Sequence, residues 1–106
     1  MAKTKEYAEE YVVNMTANAE SDLNEIILFI AQNNPLTAIK IMEKLQAKIS
    51  ALNHFPNRGG YVPELLARNI KEYRQITEPP WRIIYKVDEK TVNVLAIIDS
   101  RRNLLE

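Results

Sequence analysis

The sequence predicts an α+β fold in which helices come first and consecutive strands follow. In the first half, apolar residues recur at three- and four-residue spacing, which is the pattern of amphipathic helices. In the second half, three short runs rich in β-branched and aromatic residues are separated by turn residues. Because helices and strands are segregated along the chain, we expect a mostly antiparallel sheet with the helices packed on one face.

Length and composition describe an ordinary globular protein, and we expect one domain spanning residues 1–106. The formal net charge is zero, which argues against a strongly electrostatic nucleic-acid binder. No run of about 18 apolar residues and no secretory h-region is visible, so we expect a cytoplasmic protein without a membrane partner. With no cysteine and one histidine, neither a disulfide framework nor a His/Cys metal site can form, and we expect no metal and no cofactor.

The first half predicts one strand and two helices. Tyr11–Met15 is a short β-type run that we expect to add to the sheet. Thr16 can begin a helix that runs to about Gln32, and acidic residues in its early turns favour that start. A second helix runs from Pro35 to about Asn53. Because the connection is short, the two helices are predicted to form an antiparallel hairpin.

The second half predicts a loop and then a three-stranded antiparallel meander. His54–Ala67 is punctuated by proline and glycine and reads as a loop with a short helical turn at Glu64–Ala67. The three strands are predicted at Ile70–Thr77, Trp81–Val87 and Thr91–Ile98. The last of these is nearly all apolar, as a central strand should be.

Two features of the loop favour structural roles over chemistry. His54 follows the second helix, so we expect its imidazole to meet the last carbonyls of that helix. Gly59-Gly60 lacks the surrounding motif of a phosphate-binding loop and is interpreted as a turn.

The arginines are the remaining candidates for chemistry, and all of them lie in the second half. That half holds nine Lys or Arg against seven Asp or Glu, whereas residues 1–50 hold five against seven. Arginine is suited to bidentate contacts with phosphate or carboxylate. The arginines are Arg58, Arg68, Arg74, Arg82, Arg101 and Arg102.

The turn between the first two meander strands decides whether Arg74 and Arg82 share a face. A three-residue loop, Glu78-Pro79-Pro80, would make the two arginines diagonal neighbours on one face, whereas a two-residue loop would place them on opposite faces. Together with Arg101 after the last strand, a shared face could hold a backbone phosphate. The alternative is that arginines with apolar stems coat the open face of the sheet.

Several spaced motifs and their order point to a known family. They are Thr16, Ala19, Asp22-Leu23 and Ile26, then Val62-Pro63-Glu64-Leu65, Glu72-Tyr73-Arg74, Trp81-Arg82-Ile83-Ile84-Tyr85 and Ser100-Arg101-Arg102. With the order β-α-α-β-β-β, this set resembles the RelE/ParE toxin superfamily of type II toxin–antitoxin modules, often labelled plasmid stabilisation proteins. The resemblance covers roughly residues 11–102, and its specificity lies in the order and spacing of the motifs rather than in any one of them.

The resemblance implies two alternative activities. RelE-like members are ribosome-dependent endoribonucleases that cut mRNA. In that reading Arg82 and Arg101 would stabilise the transition state of attack by the ribose 2′-hydroxyl on the adjacent phosphate, Arg74 would assist, and Tyr85 would be the fourth catalytic candidate. Residues expected to bind RNA are Arg102, Lys86 and Arg58. ParE-like members instead inhibit DNA gyrase without this chemistry.

Our expectation from sequence is a RelE-like mRNA endonuclease acting on the ribosome, with gyrase inhibition as the alternative. Two departures from the nuclease pattern support the alternative: Ile76 stands where a second basic residue is expected, and a C-terminal Tyr or His is missing. A third reading is a decayed toxin that only binds its antitoxin. In every case the resemblance implies an antitoxin encoded beside this gene, received by exposed apolar side chains of the helical hairpin or sheet edge.

Overall fold

A computed structural model describes residues 10–106, and it confirms the α+β class with the predicted element order. The elements are β1 (Val12–Met15), α1 (Ala17–Ala31), α2 (Pro35–Ser50), β2 (Gly60–Tyr61), α3 (Pro63–Leu66), β3 (Tyr73–Glu78), β4 (Trp81–Asp88) and β5 (Thr91–Asp99). A 3-10 turn, Ala51–Asn53, continues α2. The turn predicted at Glu64–Ala67 is α3, which begins one residue earlier because a proline suits the first helical position.

The sheet has five strands in the order β1-β5-β4-β3-β2 and is mixed. Its antiparallel part, β3-β4-β5, is the predicted meander. The N-terminal strand adds to the sheet as expected, but it lies parallel to β5. The short strand β2 pairs with β3 and was not predicted, since two residues are too few to show an alternating pattern.

Local caps begin both helices of the hairpin. The Thr16 hydroxyl accepts the backbone N–H of Ala19 at 3.1 Å, and the Asn34 side chain accepts that of Thr37 at 3.1 Å. Pro35 occupies the first turn of α2, where its missing N–H costs no hydrogen bond. Within residues 10–106, neither of these helices nor α3 has the length and apolar character needed to cross a membrane.

The start of α1 is tied to a β-bulge in β5 that leaves Leu95 without a partner in β4. The Leu95 carbonyl accepts hydrogen bonds from the Asn18 side chain at 2.9 Å and the Thr16 hydroxyl at 3.3 Å. The Asp22 carboxylate accepts the backbone N–H of Ile97 at 2.9 Å. These contacts give the spacing of Thr16 and Asp22 in the sequence a structural reason.

Apolar side chains fill both faces of the sheet. The α1–α2 hairpin covers one face, here called the helix side, over a cluster that includes Leu45, Ile76, Ile83, Tyr85 and Val94. The other face, here called the outer face, carries a smaller cluster beneath α3: Val62, Leu65, Ile84, Ala96 and Ile98. A side chain's place in β3 or β4 therefore determines which of two different environments it meets.

Candidate functional site

The β3–β4 register separates the two arginines on which the sequence argument depends. Glu78 pairs with Trp81 and Thr77 with Arg82, so the connecting loop has two residues. The three-residue alternative is therefore wrong, and Arg74 and Arg82 lie on opposite faces, because neighbouring residues of a strand point to opposite sides. The predicted single face of arginines is not formed by these two side chains.

Arg82 lies on the outer face and is only 6% exposed. Its Nη1 donates to Glu64 Oε1 at 3.0 Å and to Gln75 Oε1 at 2.7 Å. Its Nη2 donates to Glu64 Oε2 at 2.6 Å and to the backbone carbonyl of Arg102 at 2.7 Å. Both terminal nitrogens are thus engaged, and the contact with Glu64 is a bidentate ion pair. Arg82 Nε is buried and has no partner within residues 10–106.

Glu64 links this ion pair to the C-terminal segment. Its Oε2 also accepts the backbone N–H of Leu104 at 2.8 Å. The hydrogen bond from Arg82 lowers the pKa of Glu64 to about 2, outweighing the opposite effect of burial, so the carboxylate stays ionised at neutral pH. Glu64, Arg82 and Gln75, here called the outer-face cluster, therefore connect α3, β4, β3 and residues 102–104.

Arg74 lies on the helix side beside β2. Its Nη1 donates to the Gly59 carbonyl at 2.7 Å, and its guanidinium lies 4.8 Å from the centre of the Tyr61 ring, a cation–π contact. The Gly59 N–H in turn donates to Tyr85 Oη at 3.0 Å. A Cβ at Gly59 would lie 2.3 Å from the Gln75 carbonyl oxygen, so the backbone approach requires glycine. Both backbone polar groups of Gly59 are used inside the protein.

Tyr85, the fourth predicted catalytic residue, has no exposed surface. Burial raises the pKa of Tyr85, and the hydrogen bond from the Gly59 N–H and the nearby charges of Arg74 and Arg58 offset part of that rise. The phenol is therefore protonated at neutral pH and is separated from solvent. Its catalytic role stays a prediction.

Arg101 is 87% exposed and bonds to Asp99 rather than to the outer-face cluster. Its Nε and Nη2 lie 3.0 and 3.1 Å from the two carboxylate oxygens, and these hydrogen bonds lower the pKa of Asp99 to about 2. Arg102 contributes its carbonyl to Arg82, while its own side chain is exposed. The catalytic and RNA-binding roles of both arginines stay predictions.

Lys86 and Arg58, the other residues predicted to bind RNA, make no hydrogen bond with Arg82 among residues 10–106. Lys86 Nζ is 4.0 Å from the Asp88 carboxylate and 5.9 Å from the centre of the Tyr73 ring. Arg58 lines a surface groove beside α2. His54 does not bond to the helix carbonyls as expected: its Nε2 lies 3.9 Å from a Glu10 carboxylate oxygen.

Within residues 10–106, no group of three His, Cys, Asp or Glu side chains is placed to hold a metal ion. Several large apolar side chains are exposed around the end of the helical hairpin where α1 connects to α2. They are Leu28 (66%), Phe29 (72%), Leu36 (72%) and Ile39 (48%). A groove of about 390 Å³ continues this apolar patch, here called the hairpin patch, from Phe29 to Trp81.

A comparison with protein families identifies the chain. The family model for the ParE toxin of the type II toxin–antitoxin system parDE matches residues 13–104. The chain belongs to the ParE toxin family. This assignment confirms the resemblance to the RelE/ParE toxin superfamily. None of the curated proteins matches the sequence significantly.

Solved structures share the fold of this ParE-family toxin at low sequence identity. The chromosomal ParDE toxin–antitoxin system from P. aeruginosa gives a TM-score of 0.71 at 20% identity over 86% of this chain and 97% of that chain. The RelBE2 toxin–antitoxin complex from Mycobacterium tuberculosis gives 0.57 at 19% identity over 85% and 91%. These likenesses establish the fold.

Sequence reasoning missed the partners that hold the arginines of this ParE-family toxin. Glu64 belongs to the Val62-Pro63-Glu64-Leu65 motif and to the predicted helical turn, but neither pattern predicts its contact with Arg82; a buried arginine requires a carboxylate or several carbonyl oxygens nearby. The contact between Gln75 and Arg82 depends on the β3–β4 register, which the sequence left open. The lysines of α2 stand at regular four-residue spacing, a pattern that is visible in the sequence.

Proposed function

We propose that this ParE-family toxin acts by binding and inhibiting DNA gyrase, without cleaving RNA. One observation carries the proposal: Arg82, which the nuclease reading needs at its reactive centre, is 6% exposed and bonded through both terminal nitrogens. A phosphate could reach it only by breaking a buried ion pair with Glu64. Breaking such a pair is strongly unfavourable, because it leaves uncompensated charge in a poorly solvated site.

The remaining nuclease candidates support the same proposal. An acid or base must lie within hydrogen-bond reach of the reacting 2′-hydroxyl, and the buried Tyr85 phenol offers no exposed surface to a substrate. The zero net charge also favours a protein target over the phosphates of the ribosome. A toxin that inhibits by binding requires neither acid nor base.

An antitoxin is the partner that membership of a toxin–antitoxin family implies. The hairpin patch suits the apolar face of an amphipathic helix, which docks through residues at three- and four-residue spacing. Phe29 and Leu36, each 72% exposed, are the large side chains that such a helix would cover. We therefore place the main antitoxin contact at this end of the hairpin.

Supercoiling by purified gyrase tests the proposed target. Relaxed plasmid, ATP and gyrase are incubated with increasing toxin, and we expect supercoiling to fall and to recover when the antitoxin is added. The topoisomerase IV of the same organism serves as a control for general interference with the plasmid. Undiminished supercoiling at a large excess of folded toxin would contradict the proposal.

RelE-like cleavage of mRNA remains the second candidate because Arg101, which is 87% exposed, is accessible to a phosphate at the end of β5. Primer extension on translated mRNA after toxin induction tests it. New cleavage ends that disappear in Arg101→Ala would establish the nuclease, since that surface substitution leaves the buried contacts in place. If neither assay responds while antitoxin binding persists, the chain is a decayed toxin.

A further inference from the structure

The exposed side of α2 carries a regular row of cations. Lys40, Lys44 and Lys48 follow one another at four-residue spacing, which places them on one side of a helix. The row ends beside the loop that holds Arg58. A groove of about 530 Å³ lies at this point, lined by Lys44, Ala47, Lys48, Ala51, Arg58 and Glu78. We call it the α2 groove.

Two cations of the α2 groove have no anionic partner among residues 10–106. Lys48 Nζ lies 4.0 Å from a Glu78 carboxylate oxygen, so its charge is partly balanced. Within residues 10–106, the side chains of Lys44 and Arg58 make no hydrogen bond and no ion pair. Both side chains are exposed. A chain with zero net charge thus presents a local positive site.

The shape of the groove suits a peptide. Ala47 and Ala51 are one helical turn apart, and their small side chains allow a partner's backbone to approach α2 closely. Arg58 also lines a neighbouring depression of about 640 Å³. That depression contains Phe55, which is 66% exposed and can receive an apolar side chain.

We propose that the α2 groove binds an acidic segment of the antitoxin, whose carboxylates pair with Lys44 and Arg58 beside an apolar residue at Phe55. The inference rests on the antitoxin partnership of the proposed function and does not depend on gyrase as the target. It is separate from the hairpin patch, which is apolar and lies at the other end of α2. The antitoxin is thereby expected to run along α2 with its acidic part at the helix C-terminus.

Acidic side chains within the site favour a peptide over a nucleic acid. Glu78 lines the groove, and Glu43 precedes Lys44 on the exposed side of α2. A nucleic-acid backbone carries closely and evenly spaced charges, so it would meet these carboxylates as well as the cations. Peptide carboxylates can be spaced to reach Lys44 and Arg58 while avoiding them.

Matched charge reversals test this inference on the full-length toxin. The groove variant is Lys44→Glu/Arg58→Glu, and the control variant is Arg68→Glu/Lys71→Glu, which reverses two exposed cations outside the groove. Both change the net charge equally, so general electrostatic effects are the same. Circular dichroism and thermal unfolding verify the fold, and titration calorimetry with the purified antitoxin measures the dissociation constant at low and high salt.

We expect the groove variant to lose about tenfold or more in antitoxin affinity and to lose most of the salt dependence, while the control changes by about threefold or less. An antitoxin with lysines in place of its acidic residues should bind the groove variant better than the wild type. Equal losses in the two variants would overturn the inference. Unchanged antitoxin affinity, with lost binding of a fluorescent single-stranded oligonucleotide, would assign the groove to nucleic acid instead. Gyrase assays are independent of all these outcomes.

Discussion

The two faces of the sheet hold their arginines in different ways. On the outer face, Arg82 is buried and makes hydrogen bonds to two side chains and one backbone carbonyl. On the helix side, Arg74 donates a hydrogen bond to the Gly59 carbonyl and lies over the exposed ring of Tyr61. The same residue type, on neighbouring strands, is an internal anchor in one place and an edge contact in the other.

The difference shows that an arginine's availability depends on the groups around it more than on its position in a motif. Arg82 donates to the Glu64 carboxylate and to the Arg102 carbonyl, and Glu64 accepts the N–H of Leu104. The charge of Arg82 is therefore already compensated within the protein, and the guanidinium is not available to a ligand. Arg74 faces the neutral Gly59 carbonyl, and no carboxylate among residues 10–106 forms an ion pair with it. Removing each contact in turn should therefore have unequal effects.

The largest effect is expected from Arg82→Ala. This change leaves the Glu64 carboxylate buried without its partner, which should lower the free energy of unfolding by about 3–5 kcal/mol. Urea denaturation followed by circular dichroism measures it. The matched variant Arg74→Ala removes one hydrogen bond to a carbonyl and should cost about 1 kcal/mol. Similar losses in the two variants would show that the faces do not differ as described.

The pH dependence of stability should follow Glu64. Its pKa is about 2 in the folded protein against 4.5 ordinarily, so the unfolded chain binds more protons between these values. The stabilisation, about 3 kcal/mol, is complete above pH 4.5 and is lost as the pH falls towards 2. Unfolding free energies of wild type and Glu64→Gln, measured across this range, should converge as the pH falls. A constant difference would contradict the ion pair.

On the helix side, Gly59 is expected to be the most sensitive position. Gly59→Ala brings a Cβ to 2.3 Å from the Gln75 carbonyl oxygen, and the strand must shift to accommodate it. We expect a loss of about 1–3 kcal/mol in unfolding free energy. Gly60→Ala is the control, because a Cβ there meets no atom within 4 Å. It should change stability by about 0.5 kcal/mol or less.

A smaller loss is expected from Tyr85→Phe. The substitution keeps the buried ring but removes the oxygen that accepts the Gly59 N–H, leaving a buried donor unpaired. This should cost about 1–2 kcal/mol, measured by chemical denaturation. In the control, Tyr61→Phe, the exposed ring remains beneath Arg74 and stability should be nearly unchanged. If Tyr85→Phe also leaves the free energy of unfolding unchanged, the hydroxyl contributes nothing to holding Gly59 in place.

The long helices and the meander strands could be predicted from the sequence because their patterns are local. The apolar spacing of α1 and α2 and the alternation in β3 and β4 are local properties of the chain. The parallel placement of β1 is not local: it depends on the hydrogen bonds that join β1 and β5, about 80 residues apart. Two-residue strand β2 had no pattern to read.

The candidate site could be predicted less well because it depends on register and on distant partners. A difference of one residue in the Pro79-Pro80 turn moves Arg74 to the face opposite Arg82. The carboxylate that engages Arg82 lies on α3, which the sequence predicts as a short helical turn within a loop, with no signal for its contact with β4. The motif residues could thus be predicted from the sequence, whereas the contacts that determine whether Arg74 and Arg82 are accessible to a ligand could not.

The smallest effect is expected from Arg101→Ala, which breaks the exposed counterpart of the Arg82–Glu64 pair. Both pairs lower the pKa of their carboxyl to about 2. However, Arg101 and Asp99 are two residues apart and open to solvent, so water screens the pair and the unfolded chain can form much of it. The midpoint of urea unfolding should therefore stay at its wild-type value at both low and high salt. A large shift in Arg101→Ala would mean that the Arg101–Asp99 side-chain pair helps to hold the C-terminal segment, in addition to the contacts that Arg82 and Glu64 make with residues 102–104.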